Sequence, residues 1–218
     1  MNNKTNGQIF ITGGTGYIGS RLIPLLLDNG FEITALARKG SEQKPDKRCN
    51  LVIGNALDKT AYSQHIKEGS VFIHLIGVAH PGPRKEKEFL EIDKVSIEQA
   101  VNAAVSAKVS QFIYLSVAEP APVMKQYIEV RKYGERLLKE SGLNAVFIKP
   151  WYVLGPGHYW PYLLLPFYWL CMIIPPLSNT AKRLYPVKLK NVLNAIVNSV
   201  KNPVKGIISI DTDELRKS

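Results

Sequence analysis

Apolar residues along this chain follow two alternating rhythms: short unbroken runs, and longer stretches in which they recur every three or four positions. Residues 8–12, 31–37, 50–53, 71–75, 111–116 and 144–149 are the runs, rich in Ile, Val and Phe. Several have no polar interruption, which predicts strands buried on both faces, as in a parallel sheet. Between most of them, 17–29, 59–68, 87–108 and 125–140 carry helical spacing; in the third, Leu90, Ile97, Val101 and Ala104 share one face. Parallel strands alternating with helices need right-handed crossovers, so the expected fold class is α/β, a doubly wound parallel sheet.

Chain breakers fall where such a sheet needs loops. Residues 40–48 are polar and charged, His80-Pro81-Gly82-Pro83 follows the fourth run, and Glu119-Pro120-Ala121-Pro122 follows the fifth. The last two lie beyond strand carboxyl ends, where open sheets take ligands. After Pro150 the pattern changes: an apolar stretch, a short strand at 184–187, a helix at 189–200 and a strand at 206–210. This reads as a small substrate-side subdomain, 158–218, integrated with the core of 1–157.

One junction says what that core is for. Ile9-Phe10-Ile11-Thr12 opens directly onto Gly13-Gly14-Thr15-Gly16-Tyr17-Ile18-Gly19, and a helical pattern follows at Ile18, Leu22, Leu25 and Leu26. Gly13 permits the sharp turn out of the strand, Gly16 lets backbone approach a diphosphate, and Gly19 lets the helix pack closely. Unpaired N–H groups and the positive end of the helix dipole then face the anion. A strand before the glycines and a second β-type run after the helix make 1–157 a dinucleotide-binding core.

Composition adds limits. The chain has 218 residues, a net charge of +10 and ordinary charged and apolar fractions, which fits one well-buried domain. The charge favours acidic partners such as a phosphorylated cofactor or anionic lipid; no dense basic run alternates with aromatics, which argues against nucleic acid. Cys49 and Cys171 form neither a metal-ligand spacing nor a disulfide framework, so no metal is expected and a reducing cytoplasm fits best. Met1 to Gln8 lacks the apolar core of a secretory signal.

Residues 159–177 are abnormal. They carry no charge and approach the ~20 residues that would span a bilayer, yet Pro161, Pro166, Pro175 and Pro176 interrupt any regular helix. The first expectation is a buried helix and loop covering a pocket. The alternative is an interfacial membrane contact with Trp160, Tyr162, Tyr168 and Trp169 at headgroup level, which would make the protein peripheral to a membrane.

The second run ends in Ala37-Arg38-Lys39. A carboxylate there would bind the ribose hydroxyls of NAD, whereas guanidinium clamps a 2′-phosphate, so NADP is expected over NAD. Asn55, after the third run, can pair with an adenine edge or simply close a turn. Gly77, after His74-Leu75-Ile76, would let the chain pass close to the adenosine ribose.

Thr12 to Gly19, Gly54 to Asp58, His74 to Gly77, Phe112 to Ser116, Tyr127 to Glu135 and Lys149-Pro150 occur in the order found in the short-chain dehydrogenase/reductase superfamily. The chain resembles its atypical members, the NAD(P)H-binding, NmrA-like group and the NAD-dependent epimerase/dehydratase relatives, with a Rossmann-like fold. The resemblance implies cofactor contacts from Thr15, Tyr17 and Ile18 in the turn, Asn55 and Ala56 after the third strand, and Leu75 and Ile76 after the fourth. Pro150, Tyr152 and Val153 would close over the nicotinamide.

In that superfamily a tyrosine and a lysine one turn later do the chemistry. Here the pair is Tyr127 and Arg131, which share a helix face. Arginine can hold a ribose and stabilise a phenolate, but it stays protonated and is a poor proton-relay member. Ser116 stands near the usual serine, which aligns there or one position later, on Val117. A structural alternative makes Tyr127 a partly buried helix residue with Arg131 paired to Glu135. Tyr152 and His158 are further polar candidates for a substrate, and His80 a weaker one. Two functions follow: an NADP(H)-dependent oxidoreductase or epimerase-type enzyme on an apolar carbonyl or hydroxyl substrate, or a non-catalytic dinucleotide-binding sensor or assembly protein associated with a membrane.

Overall fold

The computed structural model describes residues 6–43, 45–78, 82–121 and 123–218. His80, Pro81 and Pro122 therefore lie outside the described residues. In chain order the strands are β1 (Gln8–Thr12), β2 (Glu32–Ala37), β3 (Asn50–Ile53), β4 (Val71–His74), β5 (Gln111–Leu115), β6 (Ala145–Lys149), β7 (Val153–Leu154), β8 (Val187–Lys188) and β9 (Ile207–Asp211). All but β7 and β8 form one seven-stranded sheet in the order β3-β2-β1-β4-β5-β6-β9, and every pairing in it is parallel. The order reverses between β1 and β4, and the crevice outside their carboxyl ends is where a doubly wound sheet binds its ligand.

The helices are α1 (Gly19–Asp28), α2 (Glu86–Glu88), which runs through a π-helical turn at Phe89–Lys94 into α3 (Val95–Ser106), α4 (Lys125–Glu140), α5 (Leu165–Ile173), α6 (Pro175–Arg183), α7 (Leu189–Lys201) and α8 (Thr212–Leu215). Alternate residues of a strand point to opposite faces. Ile9 and Ile11 accordingly meet Leu22, Ile23 and Leu26 of α1 and Val192 and Ile196 of α7, while Phe10 joins Phe72, Phe112, Ile97 and Leu138 on the other face. Leu22, Ile23 and Leu26 are completely buried, and each such side chain stabilises the fold by about 1.5–3 kcal/mol.

Two expectations are corrected. Residues 59–68 form two 3-10 turns, Lys59–Ala61 and Ser63–His65, instead of a helix. The Asp58 carboxylate accepts from Thr60 N–H and starts the first turn, and Tyr62 then leaves it to stack on Phe10 in the core. The strand expected at 184–187 contracts to β8, because Leu184 packs into the small cluster around Tyr168 and Cys171. The strand expected at 206–210 is present as β9, which extends the main sheet beside β6.

Candidate functional site

The glycine turn is shaped as its sequence requires. Gly13 has φ +79°, and a Cβ there would fall 2.8 Å from the Leu75 carbonyl carbon, so β1 turns hard against the end of β4. A Cβ on Gly19 would strike Gly13 O and come within 2.6 Å of Gly14 Cα, which fixes how closely α1 approaches the turn. Gly16 donates to Gly13 O, while Tyr17 and Ile18 find no partner for their N–H groups among the described residues. No acidic residue occupies the first turn of α1. This is a backbone cradle with open donors at a helix N-terminus, and it fits a diphosphate.

Around it, Leu75 N donates to Thr12 O, which draws the β4 end alongside the turn. Tyr17 packs over α1, with the Arg21 guanidinium 4.4 Å from its ring centre, and its buried hydroxyl has no hydrogen-bond partner. Arg21 also donates to Pro156 O, so the loop after β7 is tied to the start of α1. Thr15 and Ala56 are half-buried, and Arg38 and Lys39 are exposed at the end of β2, one strand from the glycine turn. Asn55 is exposed and its Oδ1 accepts from Leu57 N–H, so in this structure it closes a turn.

Tyr127 and Arg131 do lie together. The guanidinium carbon stands 5.1 Å from the Tyr127 ring centre and 5.7 Å from that of Tyr114. Its two terminal nitrogens, however, are committed, while the buried Nε–H has no partner among the described residues. Nη1 donates to Ile76 O and Leu115 O, and Nη2 to Asp93 Oδ1 at 2.7 Å, with both side chains nearly inaccessible to solvent. The alternative pairing of Arg131 with Glu135 is thus corrected: Asp93, on the π-helical turn, is the partner. Gly77 is explained by the same pair, since a Cβ there would run into Arg131 Nη2 and lie 3.1 Å from Asp93 Oδ1. Burial pushes the Asp93 carboxyl up, and Arg131 and two hydrogen bonds from Val78 N–H pull it back.

Ser116 is also engaged. It is 2% exposed and donates its hydroxyl to Glu135 Oε1 at 2.6 Å, while Lys149 Nζ sits 3.0 Å from the other carboxylate oxygen. Val117, the other alignment for the serine, is buried and apolar. Tyr127 is half-buried against Phe89, Val78 and Val130. His158 uses both ring nitrogens: Nδ1 lies 2.7 Å from Val153 O, and Nε2 accepts from Trp160 Nε1 at 3.0 Å, which assigns a neutral Nδ1–H ring. Pro150 O accepts from Ala118 N–H, and Tyr152 packs between Trp151 and Trp160, its phenol pKa raised by burial.

Two buried residues outside the expected site matter to it. His74 Nδ1 is 2.8 Å from Thr12 Oγ1, its Nε2 3.5 Å from Ser96 Oγ, and burial, with the charge of Arg131 adding, pushes its pKa down to about 3. Asp93 was visible as the one acid on the apolar stripe that continues through Ile97 and Val101. Among the described residues no group of His, Cys, Asp and Glu could hold a metal ion.

The apolar segment is only partly a cover. Tyr168 and Cys171 of α5 pack on Ala118, Ala181 and Leu184, but Leu163, Phe167, Leu170 and Ile173 are 83, 63, 59 and 78% exposed. No helix of the described residues is long and apolar enough to cross a membrane.

Comparison with known proteins agrees with the cradle. A ceramide reductase of Caulobacter vibrioides is 24% identical over 212 residues, covering 96% of this chain and 66% of that protein. A UDP-glucose 4-epimerase of Vibrio cholerae is 24% identical over 178 residues, covering 71% of this chain and 54% of its own length. The chain thus spans less than two thirds of these relatives. Among solved structures, the Bordetella bronchiseptica enzyme WbmH in complex with NAD+ matches with a TM-score of 0.70 at 22% identity, covering 94% of this chain and 76% of that one. At that identity the likeness speaks for the Rossmann-like fold alone. The profile of the NAD(P)H-binding family matches residues 13–157, from the first glycine of the cradle through the loop after β7, and this chain belongs to that family.

Proposed function

We propose that the protein is an NADP(H)-dependent oxidoreductase or epimerase-type enzyme that acts on a carbonyl or hydroxyl group of an apolar, lipid-like substrate. The observation that carries this reading is Tyr127: its phenol stands half-buried beside the carboxyl ends of β4 and β5, next to the crevice that the glycine turn opens. The turn from Gly13 to Gly19 holds the diphosphate, Arg38 and Lys39 hold the 2′-phosphate, and Leu75 to Gly77 and Pro150 to Val153 border the remainder. The bound cofactor would supply the hydride chemistry. Tyr127 exchanges the proton with the substrate oxygen, while Arg131 holds the β4 and β5 ends in place instead of reaching the ribose. An apolar substrate fits the layer formed by α5, and the reductase that matches 96% of this chain acts, by its name, on ceramide.

The test is a titration with NADPH and NADH followed by turnover on a long-chain ketone dispersed in detergent. Tyr127→Phe is expected to cut turnover by about a hundredfold or more and leave cofactor affinity unchanged. A second reading, a dinucleotide-binding sensor or assembly protein without turnover, is favoured by the burial of Arg131 in an ion pair with Asp93 and of Ser116 in a hydrogen bond to Glu135. Cofactor retained through purification with no hydride exchange on any carbonyl would establish that second reading over the first.

A further inference from the structure

A helix that is apolar all round belongs inside a protein or against something apolar. α5 satisfies this on one side only. Tyr168 and Cys171 fasten it to the loop after β5 and to α6, and Trp169 Nε1 donates to Tyr185 OH, so its orientation is set by the protein itself. The other side, continued by the 3-10 turn Trp160–Leu164, presents Leu163, Phe167, Leu170 and Ile173 to solvent, and Trp169 is 57% exposed. Contiguous exposure on this scale marks a surface that something covers.

Charge identifies the occupant. From Ser141 through Ile210 the chain contains no aspartate or glutamate. Lys182 lies in the last turn of α6, and Lys188 and Lys190 follow where the chain leaves this segment; all three are exposed. Glu119 and Asp213, on neighbouring elements, are already paired with Lys132 and Lys149 and with Arg216. A second copy of this chain would bring the same lysines face to face. An anionic bilayer offers hydrocarbon to the apolar stripe and phosphate to the lysines.

We propose that α5 and the preceding turn lie in the surface of an anionic membrane, with Leu163, Phe167, Leu170 and Ile173 inserted and Lys182, Lys188 and Lys190 on headgroup phosphates. Nine residues of α5 reach about 14 Å, against a hydrocarbon core of about 30 Å, so the segment lies in one leaflet and does not cross. Trp160 and Trp169 sit at the depth where indole rings settle.

The experiment is vesicle flotation at low salt, with phosphatidylcholine vesicles with and without phosphatidylglycerol, read together with tryptophan fluorescence. The wild type is expected to float with the anionic vesicles and to shift its emission to the blue. Phe167→Glu with Leu170→Glu is expected to lower the bound fraction by about tenfold or more. Lys182→Glu, Lys188→Glu and Lys190→Glu together are expected to abolish the preference for phosphatidylglycerol and the sensitivity to salt. NADPH titration and thermal unfolding keep the apolar double variant interpretable, because neither replaced side chain belongs to the core. Absence of flotation at low salt, or equal binding by the double variant, overturns the proposal. So does a wild type that is dimeric, becomes monomeric with the same two substitutions and ignores vesicles. The cofactor titration reads the enzyme proposal separately, so either can fail without the other.

Discussion

Arg131 Nη2 lies 2.7 Å from Asp93 Oδ1, and both side chains are shut away from solvent. The residue at the position where the superfamily this chain resembles carries a ribose-holding lysine is therefore fastened to the helix that follows β4. Breaking a buried pair from one side leaves the other charge uncompensated, which costs more than the pair is worth. Asp93→Ala is expected to lower stability by about 3–5 kcal/mol, measured by urea unfolding. A loss below 1 kcal/mol would show that Arg131 finds water or another acceptor.

Gly19→Ala tests the cradle. The new Cβ would meet Gly13 O and Gly14 backbone, which are not free to swing aside. The turn must open, so dinucleotide binding should be lost in calorimetric titration and stability should fall by about 1–3 kcal/mol. A variant that binds NADPH with wild-type affinity would place the diphosphate elsewhere.

Arg38→Asp tests the choice between cofactors. A carboxylate at the end of β2 would repel a 2′-phosphate and accept ribose hydroxyls, so NADPH affinity should fall by about tenfold or more relative to NADH. Unchanged NADPH affinity would remove Arg38 from the site.

Much of this was legible in the sequence. Six of the parallel strands announce themselves as apolar runs, and the glycines of 13–19 sit where their spacing puts them, because both signals are local. The fates of Arg131 and Ser116 were not legible. Tyr127, Arg131 and Glu135 recur every four residues on α4, and this spacing gives a shared face without saying what it touches. Asp93 and Lys149 arrive from remote parts of the chain, 38 and 14 residues away, to take Arg131 and Glu135. Residues 59–68 misled for a related reason: their helical spacing was overridden by the tertiary demand of Tyr62 for the Phe10 ring.

His74 makes stability sensitive to acid. Its folded-state pKa of about 3 lies below the ordinary 6.5, so the neutral ring is favoured by folding. That contribution is complete above pH 6.5 and is lost as the pH falls from 6.5 towards 3, because the unfolded chain takes up a proton that the folded chain refuses. Well below pH 6.5 the loss approaches about 1.4 kcal/mol per pH unit. Urea unfolding between pH 6.5 and 5, above most carboxylate titration, should show it, and His74→Gln should flatten the slope. An unchanged slope in that variant would assign the acid sensitivity to other groups.

Of the two carbonyls that Arg131 holds, Ile76 O lies two residues past the end of β4 and Leu115 O ends the neighbouring β5. One guanidinium therefore acts as a rivet across β4 and β5, and the gap between their exits has its width before any nucleotide arrives. A rim tied in this way has less freedom left to lose when a dinucleotide docks.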